Sequence, residues 1–167
     1  MKSRHTMRRC GFAAFAVLAF GSMSAAADDR RWRVFEEADR ALLAASRSDE
    51  PTDDLGSPFF RCQRKSGTVV VEGTANQELR DAVADLIRSD GYPQVDLLPA
   101  GSTLLNVSYS EMGSNWQYSF ELEAVGKTFD EFKRTGRFTF NVGSTVVREE
   151  FKVGLENVAK FQMICKR

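Results

Sequence analysis

Asn115-Trp-Gln-Tyr-Ser-Phe-Glu-Leu-Glu123 alternates apolar and polar side chains over nine residues. Trp116, Tyr118, Phe120 and Leu122 fall on one side, and Gln117, Ser119, Glu121 and Glu123 on the other. A period of two marks a strand with one dry and one wet face. Phe138, Phe140 and Val142 repeat the pattern, and so do Val147, Phe151 and Val153, with Glu149 interrupting. Leu104-Leu-Asn-Val107-Ser-Tyr109 forms another run, and Gly113-Ser114-Asn115 and Gly143-Ser144 supply turns. Residues 94–153 therefore read as successive strands. Between two of them, Thr128 to Arg134 spells a short helical turn closed by Gly136.

Upstream, Phe59 to Arg64 and Thr68 to Gly73 flank the turn Lys65-Ser66-Gly67, which predicts a hairpin. Thr74 and Gln77 have capping-box spacing and predict a helix over 75–89 with Leu79, Ala82, Val83, Leu86 and Ile87 as its buried stripe. Gly91 and Pro93 end it. Residues 154–165 return to helical spacing through Leu155, Val158 and Phe161. Residues 30–48 also read as an amphipathic helix, with Trp32, Phe35, Ala38, Leu42 and Ala45 on one side. Asp49 to Pro58 is an acidic, Pro/Gly-punctuated linker. The expected architecture is α+β: an antiparallel sheet of five or six strands with two or three helices packed on one face. Residues 59–167 form its single domain, and residues 28–58 an N-terminal helix and linker.

The first 27 residues read as an address. Lys2, Arg4, Arg8 and Arg9 make a basic start, Phe12 to Phe20 a short apolar core, and Ala25-Ala26-Ala27 the small residues before a cleavage point at Asp28. This predicts export to the periplasm or beyond, with no stable membrane insertion once the segment is removed. The full chain of 167 residues carries 23 basic and 23 acidic side chains. Without residues 1–27 it keeps 19 basic against 23 acidic, a net charge of −4. That balance argues against nucleic acid as a partner, because such affinity rests on cations at phosphates. The cluster Arg61, Arg64 and Lys65 reads as a solvated strand end.

The only histidine, His5, leaves with the leader. The remaining chain then has no Ser-His-Asp or Cys-His machinery and no histidine metal site. Asp53 and Asp54 lack a twelve-residue calcium-loop pattern. No cofactor or metal is expected. Of three cysteines Cys10 leaves with the leader, and Cys62 and Cys165 remain as an even pair without Cys-x-x-Cys spacing, which in an oxidising compartment predicts one structural disulfide.

Tyr109, Trp116 and Tyr118 are the candidate contacts for a ligand or partner, because aromatic rings stack on sugars and anchor protein interfaces. Glu121 and Glu123 lie about 7 Å apart along one strand face, a separation within the range of inverting glycosidases. The stretch from Leu98-Pro99-Ala-Gly101 to Phe151-Lys-Val-Gly154-Leu155 and Cys165 resembles the secreted invasion-associated locus B family of small exported bacterial proteins. The similarity covers about the last third of the chain. It implies a non-enzymatic role in the envelope or outside the cell and supplies no site residues. The leading expectation is thus a non-enzymatic binding module for an envelope protein or glycan. A periplasmic inhibitor of a lysozyme-like hydrolase is a second reading, by analogy of size, export and disulfide. A hydrolase using Glu121 or Glu123 is a third.

Overall fold

The computed structural model describes residues 29–50 and 55–167. The leader, Asp28 and the Asp53-Asp54 pair lie outside them. The fold is α+β, and the described residues form two antiparallel sheets and three helices. The first sheet takes β1 (Arg31–Glu36), β2 (Arg40–Ser46), β3 (Phe59–Gln63) and β4 (Thr68–Thr74). After α1 (Gln77–Arg88), β5 (Gln94–Leu97) and β6 (Ser102–Leu104) enter the second sheet. β7 (Asn106–Ser110) and β8 (Asn115–Glu123) return to the first. Then come α2 (Lys127–Thr135), β9 (Arg137–Val142), β10 (Thr145–Glu150) and α3 (Leu155–Cys165). The orders are β1-β2-β3-β4-β8-β7 and β10-β9-β5-β6.

The two sheets meet through the aromatic residues that period two places on their inner faces. Phe60 of β3 packs edge-on against Phe138 of β9 at 4.8 Å, and Phe120 of β8 against Phe140 at 4.9 Å. Phe129 and Phe132 of α2, with Val158 and Phe161 of α3, extend this core beyond the sheets. Of the stripe expected on α1, Leu79 and Val83 are buried, whereas Ile87 is exposed. The N-cap of α1 is Asn76, whose side chain accepts from the Leu79 N–H, and not Thr74. Thr74 is taken by the ladder, opposite Gln117 of β8.

Residues 30–48 form a hairpin, not the helix expected from their spacing. The same stretch also carries a period of two: Trp32 and Val34 stand opposite Ala45 and Leu43 on the inner face. Glu37 N–H donates to the Arg40 carbonyl to close the turn. β2 then pairs with β3, setting Ala41 opposite Cys62 and Leu43 opposite Phe60. Burial along a sheet overrides the modest helix propensity of an Ala- and Arg-rich stretch. The boundary expected at residue 58 disappears for the same reason, since the hairpin belongs to the first sheet.

Trp32 is fully buried and fixes where the hairpin meets the helices. Its indole N–H donates to the Gly136 carbonyl at 3.1 Å, and its ring packs on Phe60, Phe132 and Phe151. Its carbonyl accepts from the Asn157 side chain. Gly154 precedes α3 with φ +86°, and a Cβ there would lie 2.2 Å from the Trp32 oxygen. The cysteines are bonded, Cys62–Cys165, with Cα atoms 5.8 Å apart. The turn after β3 caps the end of α3 as well, Lys65 and Gly67 N–H donating to the carbonyls of Ile164 and Cys165.

Two outcomes follow. The disulfide closes a separation of 103 residues. Replacing both cysteines by alanine is expected to lower unfolding free energy in urea by about 4–5 kcal/mol, and an unchanged midpoint would refute that role. Gly154→Ala is expected to cost more than about 1 kcal/mol in the same measurement, because strain at positive φ adds to the clash with Trp32.

Candidate functional site

The aromatic row of β8 runs off the end of the core. Phe120 and Tyr118 sit under the second sheet, with Phe140 5.6 Å from the Tyr118 ring. Trp116, next on the same face, is beyond that cover and 38% exposed. Tyr109 of β7 stands opposite it in the register and is 51% exposed. Their rings meet edge-on at 5.6 Å. The turn between the strands, residues 111–114, presents Met112, which is fully exposed. Cross-strand packing thus holds two aromatic side chains at a tip in water. The tip is tied to the sheet below, as Ala75 N–H donates to the Trp116 carbonyl at 2.8 Å.

Tyr118, the third expected contact, is not available to a ligand: it is only 3% exposed. The physical reason is Gly73, its cross-strand partner. A Cβ at Gly73 would lie 2.5 Å from the Tyr118 ring, so the missing side chain is the space the ring fills. The Tyr118 hydroxyl shares a hydrogen bond with Ser57, whose oxygen also accepts the Thr74 N–H at 2.9 Å. Burial pushes the Tyr118 phenol well above its ordinary range, Ser57 opposes that, and the Glu149 carboxylate adds to it.

Glu121 and Glu123 lie on the outer face of β8 and are exposed. Both line a cleft of about 500 Å³, together with Ser102 and Thr103 of β6 and Lys127 of α2. Leu97, Leu122 and Phe129 are its buried apolar lining. A chain wall with two carboxylates in water is suited to holding a cationic ligand. The cleft was hidden in the sequence, which reads 104–109 as one strand. The doublet Leu104-Leu105 was the available signal, since two adjacent apolar residues break alternation.

The basic cluster near Cys62 is engaged in ion pairs. Arg61 binds Glu72 at 2.9 Å, and Arg64 binds Glu36 at 2.7 Å. Lys160 reaches the same Glu36 at 2.6 Å. Lys160 first, then Arg64, hold the Glu36 carboxyl below its usual range by hydrogen bonding. This corner is a set of solvated pairs, as the sequence suggested for Arg61 and Arg64.

Tyr118 sets an expectation for alkaline pH. Its proton is held more tightly in the folded than in the unfolded chain, where the phenol titrates near about pH 10. Its contribution is therefore complete below that pH and is lost as pH rises above it. Between about pH 8 and about pH 11, either side of the free phenol, the parent protein is expected to lose more unfolding free energy than Tyr118→Phe. Equal losses would place the strain elsewhere. No family model, curated protein or solved structure matches this chain.

Proposed function

We propose that this is an exported binding protein of the bacterial envelope that holds a protein partner through the β7–β8 tip and has no catalytic role. The observation that carries the reading is the Tyr109–Trp116 pair, kept in water at the end of a strand whose next two inner residues are fully packed. Exposing such rings is unfavourable unless something covers them, and Trp and Tyr dominate the energetics of protein interfaces. Met112 beside them adds an adaptable apolar contact. The edge-on arrangement favours a protein over a glycan, because it offers no single flat platform on which a sugar ring would stack.

The leader-like residues 1–27 and the Cys62–Cys165 bond support the compartment. Among the described residues no helix is long and apolar enough to cross a membrane. The resemblance of the last third to small exported bacterial proteins agrees with a role outside the cytoplasm.

The test is capture from envelope extract by immobilised, oxidised protein, with Tyr109→Ala/Trp116→Ala alongside. A specific partner is expected to bind the parent and to bind the variant about 30-fold more weakly or less, the effect of losing one hot-spot aromatic. The variant's near-UV spectrum should show an intact core. Equal capture by both proteins would remove the tip from the interface. A hydrolase of lysozyme type as the captured partner would make the protein an inhibitor.

A further inference from the structure

The cleft beside Glu121 and Glu123 is an unzipped sheet edge, and its backbone groups can be assigned one by one. On β8, Ala124 N–H donates to the Gly67 carbonyl and the Trp116 carbonyl accepts from Ala75. In an antiparallel ladder the hydrogen-bonded pairs alternate, so residues 116, 118, 120, 122 and 124 bond to the β4 side. Residues 115, 117, 119, 121 and 123 turn their N–H and C=O the other way, toward β7. β7 takes up the first three, with Ser110 opposite Asn115, Ser108 opposite Gln117 and Asn106 opposite Ser119. Continued in register, Leu104 would stand opposite Glu121 and Ser102 opposite Glu123.

The chain does not continue in register. At Leu105, whose N–H donates to the Pro93 carbonyl, it bends into the second sheet. There Leu104 stands opposite Gln94 and Ser102 opposite Asp96. Leu97 N–H bonds the Gly101 carbonyl, which by the same alternation makes 101, 103 and 105 the residues bonded to the β5 side. Ser102 and Leu104 thus direct their backbone groups back toward β8. Two free edges face each other across a fork that opens from Leu105 toward Gly101 and Gly126, where the cleft lies.

We propose that this fork takes an extended peptide segment of a partner, one that alternates Lys or Arg with apolar residues, by strand addition to β8. Main-chain hydrogen bonds to Glu121 and Glu123 would supply the register. The period of two would send apolar side chains to the lining of Leu97, Leu122 and Phe129, and cationic ones to the carboxylates of β8. Among the described residues that line the cleft Lys127 is the one cation, and it opens α2. The site extends the reading of the chain as a binding module and does not use the aromatic tip, so either can fail alone.

The experiment is residue-resolved amide exchange on the purified, oxidised protein, with a blocked heptapeptide of alternating Lys and Val and a control of alternating Glu and Val. At ten times its dissociation constant the Lys peptide is expected to slow exchange at Glu121 and Glu123 by about tenfold. The Glu peptide should not, and Glu121→Gln/Glu123→Gln should bring the two peptides level. No slowing by the Lys peptide at millimolar concentration would overturn the proposal. So would equal slowing by both peptides on the parent, or Glu121 and Glu123 amides already as protected as Leu122 in the free protein. Perturbation confined to Tyr109 and Trp116 would overturn the fork and leave the tip standing.

Discussion

The burial of Trp32 is the constraint on which the rest of the molecule depends. One side chain joins the N-terminal hairpin to the C-terminal third: its N–H holds the Gly136 carbonyl at the end of α2, its ring lies against Phe132 and Phe151, and its own carbonyl holds Asn157 of α3. Through Phe60 the same cluster reaches the centre of the first sheet, and through Phe138 the second. Gly136 and Gly154 are small and left-handed because the backbone passes too close to its neighbours there for any side chain. The Cys62–Cys165 bond works on the same join from the other end of α3. The local elements are short. Their stability comes from this shared core, since isolated helices of this length and two-stranded hairpins are marginal in water.

Both candidate surfaces arise where β8 outruns its cover. At its start, the second sheet ends above Tyr118, so the aromatic row continues into water as Trp116. At its end, β7 stops at Asn106, so Glu121 and Glu123, paired with β4 on one side, have no strand beside them on the other. One nine-residue strand thus carries an apolar contact at one end and a polar, hydrogen-bonding edge at the other. Natural proteins protect sheet edges with charge, and the two glutamates lie where that protection is expected. The same charges make the edge selective, since a cationic strand is attracted and an anionic one repelled.

Much of this was legible in the sequence. The alternation of Trp116 to Glu123 named the strand and its buried face, and the turn residues 65–67 named the hairpin of β3 and β4. Gly136 marked the end of α2, and the cysteine count gave the disulfide. The partial exposure of Trp116 and Tyr109 was readable from their places near strand ends. What misled was ambiguity of period. Residues 31–46 satisfy both the helical and the strand spacing, and the sequence alone cannot weigh a helix stripe against a ladder with Phe60 and Cys62. Tyr118 looked like its neighbour Trp116, because nothing local tells that Gly73 lies opposite and leaves room for its ring.

By itself the sequence determined the faces of the strongly alternating strands, the places where turns relieve the backbone, and the two sulfurs that can join once the leader is set aside. These are local properties, set by the spacing of apolar residues and by the few residues that tolerate unusual dihedrals. The tertiary structure alone decided the pairing. It made the N-terminal segment a hairpin, split one apparent strand at Leu105 between two sheets, and so opened the fork beside Glu121 and Glu123. Pairing depends on contacts between residues far apart in the chain, whose free energy no single segment contains.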